Sequence, residues 1–244
     1  MPSLATTRLY LDDDHCFETD ASVVAVEGNC VAFDRSCFYP GGGGQPPDEG
    51  RVRVHGGEVL EIVSAYADAD GVVWHAAQST PPSSILGQPA RLTVDRARRL
   101  ALTRYHTVLH ILNTIALRDY GGWITGVQIS TEYSRIDFKL EGLSAALCAE
   151  LQQKVNAVLQ GDHALKAYYI TEDEFRKRED LLRTLDARPP VSHGRVRVVE
   201  IQGFDAQPCG GTHVSTTSDV GRFSILRTEN KGKINKRLYV RIDR

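Results

Sequence analysis

The sequence reads as an α+β protein: a small N-terminal β-barrel, then a domain with helices packed on a mainly antiparallel sheet. Two observations predict this. Over residues 1–90, short alternating or β-branched runs recur between Gly- and Pro-rich breaks, the pattern of strands joined by turns. From residue 91 the apolar period lengthens to that of helices, and three strand-like runs close the chain. The domain boundary is expected near residue 90.

In the first part the expected strands are Ser22–Val26, Arg51–Val54, Val59–Ser64 and Gly71–His75. The stretch Thr80-Pro-Pro-Ser-Ser and then Gly87-Gln-Pro89 reads as the exit from the barrel. Asp95 can cap a helix whose apolar positions include Leu102, Tyr105, Leu109, Leu112 and Ala116, with Gly121-Gly122 as its stop. A β-like segment, Val127–Phe138, follows. A second helix is expected from about Leu143 to Leu159, stopped by Gly161. Thr171-Glu-Asp-Glu174 has the form of a capping box for a third helix ending before Pro189-Pro190. The closing strands are expected at Arg195–Ile201, Arg222–Thr228 and Arg237–Ile242.

The 244 residues suffice for one large or two modest domains with a buried core. Hydrophobic content of 41% and charged content of 25% are those of a soluble globular protein. No run approaches the roughly 18 apolar residues of a membrane span. Met1–Asp14 lacks a basic start and an apolar core, so no signal peptide is expected. Five cysteines without framework spacing favour reduced thiols and a cytoplasmic location.

The net charge of −2 hides an asymmetry. Residues 1–90 carry 4 Lys/Arg against 13 Asp/Glu, and the remaining residues carry 25 against 18. Arg222–Arg244 alone holds eight basic and two acidic residues. A basic half suits a polyanion, because neutralising phosphates releases counterions, though a solvated basic face has the same composition.

Two pairs of metal-ligand residues stand out, His106-Thr-Val-Leu-His110 and Cys209-Gly-Gly-Thr-His213. On a helix, residues four apart share a face, so His106 and His110 can meet one cation. Cys209 and His213, across a Gly-Gly turn, can complete a tetrahedron, and thiolate with imidazoles is a zinc ligand set. One zinc per chain is expected. A metalloprotease would need Glu beside the first His as general base, and here that position is Thr107. The remaining histidines, His15, His55, His75, His163 and His193, have no motif partner and are expected at the surface or in loops.

These stretches, with Phe38-Tyr-Pro-Gly-Gly-Gly-Gly-Gln-Pro-Pro-Asp-Glu-Gly50, Arg135-Ile-Asp-Phe138 and the tail from Val220, resemble the AlaX proteins. Those are free-standing relatives of the editing domain of alanyl-tRNA synthetase. The likeness spans nearly the whole chain and points to the longer AlaX type, with its N-terminal β domain and Gly-rich loop. It departs from the synthetase-like pattern at Gly41, where a Glu usually follows Tyr-Pro.

The resemblance implies a trans-editing hydrolase that deacylates mischarged alanine tRNA, bearing serine or glycine. Its partner is tRNA; neither a membrane nor an obligate protein partner is expected. The resemblance also implies that Thr125 greets the serine hydroxyl. Gln128 is a further candidate for a polar contact, and Thr107 and Thr212, next to ligands in the sequence, can hydrogen-bond around the metal or pack in the core. Gly42, Gly43, Gly44 and Gln45 are expected to approach the substrate, since glycine lets backbone come close to a ligand. Lys231, Lys233 and Lys236 are the expected phosphate contacts, with Arg96, Arg98 and Arg99 as the alternative set. Two rival readings are editing of serine-charged threonine tRNA and a zinc-stabilised tRNA-binding module without turnover.

Overall fold

Six strands close the N-terminal barrel: β1 (Glu18–Glu27), β2 (Cys30–Phe33), β3 (Gly50–Val54), β4 (Val59–Ala67), β5 (Val73–Ala77) and β6 (Pro89–Val94). Their order is β1-β2-β5-β4-β3-β6, every pairing is antiparallel, and β6 returns to β1. Closure leaves these six strands no open edge to pair with another chain. Alternation sets the register: Val52 and Val54 point inward while Arg51 and Arg53 face water, and Leu60, Ile62, Val73 and Leu92 join the same core. The computed structural model describes residues 5–183, 191–192 and 194–243.

β2 and β6 lie outside the strands expected from the sequence. Cys30–Phe33 is a short continuous apolar run, without the alternation that marks a half-exposed strand. Pro89 was expected to end the barrel, but it opens β6, and proline is tolerated as the first residue of a strand. β6 therefore lies across the expected boundary. The chain divides into two compact units, Met1–Gly42 with Pro46–Leu100, and Gly43–Gln45 with Ala101–Arg244.

Within the first unit, Arg99 and Asp48 form a fully buried ion pair, and Arg99 also donates to the carbonyls of Asp14 and Cys37. Asp48 in turn accepts from the Tyr39 N–H at 2.6 Å, and its own N–H donates to the Tyr39 carbonyl at 2.9 Å. These bonds clamp the base of the Gly-rich loop. Arg99 is thereby removed from the alternative phosphate-contact set. The five cysteines are free, and burial pushes the Cys37 thiol up to about 12.

His75 also departs from expectation, being wholly buried in the barrel. Its Nδ1–H donates to the Val31 carbonyl, so Nε2 accepts from the Ser36 hydroxyl at 2.8 Å, and Phe33 and Phe38 meet the ring edge-on. Burial pushes its pKa down to about 4. The unfolded chain takes up a proton near 6.5 and the native barrel does not until about 4, so between these values acidification favours unfolding. Stability should fall by about 3 kcal/mol as pH drops from 7 to 4 through this group alone. Urea titrations of wild type and His75→Gln across that range check this. Equal pH slopes in the two proteins would show that His75 is not the group responsible.

The second unit holds α1 (Arg96–Tyr120, from Ala101), β7 (Trp123–Gln128), β8 (Ser134–Lys139), α2 (Ala145–Gln160), β9 (Leu165–Thr171), α3 (Glu172–Phe175), β10 (Arg195–Ile201), β11 (Asp205–Pro208), β12 (Arg222–Asn230) and β13 (Asn235–Asp243). One antiparallel sheet has the order β12-β13-β8-β7. The other centres on β10, with β9 on one side and Val191–Ser192 and β11 on the other. Leu102, Leu109, Leu112 and Ile115 of α1 share a core with Leu151, Val155 and Leu159 of α2 and with Phe138, Phe223 and Val240 of the first sheet. Full burial of such a side chain stabilises the fold by about 1.5–3 kcal/mol. No helix among the described residues is long and apolar enough to cross a membrane.

The expected helix ends are partly corrected. Asp95 caps α1 through the Arg98 N–H, and Gly121-Gly122 ends it with Gly121 at φ +65. Gly161 stays right-handed at φ −72, and the left-handed residue is Asp162. Glycine at 161 instead makes room, since a Cβ there would lie 2.6 Å from His163 Nε2. The capping box at Thr171–Glu174 is present but starts a helix of only four residues. Its expected end before Pro189-Pro190, and His193, lie outside the described residues. The β-like segment expected at Val127–Phe138 falls on the hairpin of β7 and β8, which begins earlier, at Trp123.

Candidate metal centre

The ligand pairs come from two rigid elements. His106 and His110 lie one turn apart on the middle of α1. Cys209 follows directly on β11, whose pairing with β10 fixes where the chain turns back. That turn is built on glycine: a Cβ on Gly211 would lie 2.2 Å from His106 Cε1 and 2.5 Å from its Nδ1. Arg197, buried on β10, holds the turn by donating to the carbonyls of Cys209 and Gly211 at 3.0 and 2.9 Å. The Gly211 N–H points at the Cys209 sulfur, 3.3 Å away.

His106, His110, Cys209 and His213 converge, with one ligand atom from each all within 4.8 Å of one another. Cys209 Sγ lies 3.4 Å from His106 Nε2 and 3.3 Å from His213 Nε2. Tetrahedral zinc with ordinary bond lengths would set such sulfur–nitrogen pairs roughly 3.5 Å apart. His106, Cys209 and His213 are buried, whereas His110 is half-buried.

Hydrogen bonds decide which ring nitrogen is free. Gln45 Oε1 can only accept, so His106 Nδ1 donates to it at 2.7 Å and Nε2 keeps its lone pair. The Thr107 hydroxyl donates to the Thr103 carbonyl, so it accepts from His213 Nδ1 at 3.1 Å, and His213 Nε2 is free. Burial first, and then the Arg197 charge, push the His106 pKa down to about 3. His110 and His213 are held well below the ordinary histidine range, chiefly by burial, and next by the neighbouring ring of His106 for His110 and of His110 for His213. At neutral pH the imidazoles are uncharged, as metal ligation requires. The donor set therefore fits a thiophilic, imidazole-binding divalent ion.

Two residues hold the ligands in place: Thr107, expected beside them, and Gln45, whose role the spacing did not reveal. Gln45, expected at the substrate, is buried, bonds His106, accepts from the Thr212 N–H and donates to the Thr212 hydroxyl. Thr107 orients His213, and its hydroxyl oxygen also accepts the Val214 N–H. Gly42, Gly43 and Gly44 have φ of +133, +56 and +84. Gly44 is needed for packing, since a Cβ would lie 2.6 Å from Val127 of β7, whereas the space around Gly43 is open. Thr125 is exposed on β7 at the extra residue of a β-bulge and donates to Asn235 Oδ1 at 2.8 Å; Gln128 is exposed at the strand's end. Lys231 and Lys233 are exposed, Lys231 beside Glu229. Lys236 is not a surface charge: it is buried and donates to the carbonyls of Gly232 and Lys233.

The family described as "Threonyl and Alanyl tRNA synthetase second additional domain" matches residues 196–239, which include Cys209 and His213. The alanyl-tRNA editing protein AlaX-M of Saccharolobus solfataricus is 34% identical over 234 residues, covering 96% of this chain and 98% of that protein. The chain belongs to the AlaX-M family. Its likeness to the AlaX-M protein of Methanosarcina mazei is 31% over 239 residues, again 96% of this chain. The alanine–tRNA ligase of Thermofilum pendens is 34% identical over 229 residues, 92% of this AlaX-M chain but 24% of the ligase. The similarity thus takes in both compact units.

Proposed function

We propose that this AlaX-M protein is an aminoacyl-tRNA deacylase that removes serine, and secondarily glycine, from mischarged alanine tRNA in trans, with one zinc held by His106, His110, Cys209 and His213. The convergence of these four side chains in a relative of alanyl-tRNA editing proteins carries the reading. Zinc there would supply a Lewis acid near the ester carbonyl. Four protein ligands fill a tetrahedral shell, so positioning is the site's first task, and pocket groups share in guiding water. Gln45 and Thr107 hold two ligand rings at fixed angles. Thr125 and Gln128 are the polar contacts for the aminoacyl group. Lys231 and Lys233 contact phosphate, since an exposed pair such as Lys231–Glu229 is worth little and yields readily.

The test is deacylation by the purified full-length protein of alanine tRNA charged with serine or with alanine, and of serine-charged threonine tRNA. The proposal expects serine-charged alanine tRNA to be hydrolysed fastest. Preference for the threonine tRNA would move the substrate, and tRNA binding without turnover would leave only a binding module.

A further inference from the structure

The face of α1 that carries His106 and His110 continues through Thr114 to Leu117 and Arg118, which line a cavity of about 210 Å³ with Arg183, Phe204 and Asp205. At 1.5 Å per residue, Thr114 lies about 6 Å beyond His110 along the helix and Arg118 about 12 Å. A polar chain joins cavity and ligand group: Gln207 Nε2 lies 3.0 Å from the His110 carbonyl, 2.7 Å from the Thr114 hydroxyl and 2.9 Å from Asp205 Oδ2, and its two N–H groups serve two of these acceptors at a time.

We infer that this cavity seats the adenine of the terminal nucleotide of tRNA while the ester lies at the ligand group, a ribose's breadth away. The inference rests on the deacylase reading above. The cavity is smaller than the roughly 300–1,000 Å³ that drug-sized ligands occupy, and suits a single base. Phe204 and Leu117 give it apolar walls, and the Arg118 guanidinium lies 5.5 Å from the Phe204 ring centre, so an aromatic ring has stacking partners. Asp205 distinguishes a base from a phosphate. Its Oδ2 accepts from the Thr114 hydroxyl and lies 2.9 Å from Gln207 Nε2, and its Oδ1 accepts from Arg183, which leaves Oδ1 a lone pair for an amino group. A phosphate would meet that carboxylate as a like charge. Arg183 Nε is buried and has no hydrogen-bond partner among the described residues, a donor that a ring nitrogen of the base would satisfy.

The test titrates the full-length, zinc-loaded protein with adenosine, with inosine and with inorganic phosphate, followed by calorimetry or amide NMR shifts. Inosine replaces the amino group by a carbonyl that would face Asp205, so adenosine should bind about tenfold tighter or more. Phe204→Leu removes the stacking ring, and Leu117→Trp fills the cavity without removing a polar group. Each should weaken adenosine about tenfold and bring the adenosine-to-inosine ratio towards one, while metal content stays unchanged. Equal binding of the two nucleosides, displacement of adenosine by phosphate, or unchanged adenosine affinity in both variants would overturn the assignment. Wild type that binds adenosine with this preference yet deacylates no mischarged tRNA would uphold the cavity and remove the function it was read with.

Discussion

Replacing Gly211 by alanine should empty the metal site and reduce deacylation by at least about 100-fold. The added methyl would overlap the His106 ring, 2.2 Å from Cε1, and would also crowd Gln45 Oε1 at 3.0 Å. The ring cannot swing aside without breaking its bond to Gln45, and Arg197 holds the turn itself in place. Losing a residue that merely orients a ligand costs about 10–100-fold in affinity or activity, and here a ligand itself is displaced. Metal analysis of the purified variant, beside the deacylation rate, checks this. Gly142→Ala is the control, because no atom lies within 4 Å of the added methyl and the backbone there is not left-handed, and its metal content should match wild type. A Gly211→Ala protein with full metal and full activity would remove His106 from the ligand set.

Thr125→Val should cost serine-charged tRNA about 1–3 kcal/mol of transition-state stabilisation, while hydrolysis of alanine-charged tRNA falls little or rises. Serine and alanine differ by one hydroxyl, and a site built to bond that hydroxyl rejects the analogue that lacks it. Thr125 is suited to the task by its surroundings. It is the extra residue of a bulge, a feature that re-aims a side chain, and its proton is already committed to Asn235. Its lone pairs are therefore presented as acceptors to an incoming O–H. Valine keeps the shape and removes them. The ratio of kcat/KM for the two esters is the readout. A ratio equal to that of wild type would make Thr125 a strand residue and leave Gln128 as the next group to vary.

Legibility in the sequence followed the range of the forces involved. The i, i+4 histidines, the Asp95 cap and the alternation of Val52 and Val54 are local signals, and the structure has all three. The four converging side chains were legible because each pair is local, even though about a hundred residues separate the pairs. Gln45 was not, since its partner His106 is 61 residues away and nothing in the intervening spacing announces the contact. His75 was misplaced for a related reason, whereas Lys236 is buried by partners close in sequence, the carbonyls of Gly232 and Lys233, that its own turn brings to it. A polar side chain is buried when partners satisfy it, and those partners, Ser36 and the Val31 carbonyl for His75, come from elsewhere in the barrel. The short third helix kept its capping box, but a cap starts a helix without fixing its length.

The most direct test of the central claim is serine-charged alanine tRNA hydrolysis followed through removal and return of metal, with zinc counted per chain at each stage. About one zinc is expected in the active protein, with loss of activity as it is withdrawn and recovery on adding one equivalent to wild type but not to Cys209→Ala. Full activity in protein shown to be free of metal would contradict it.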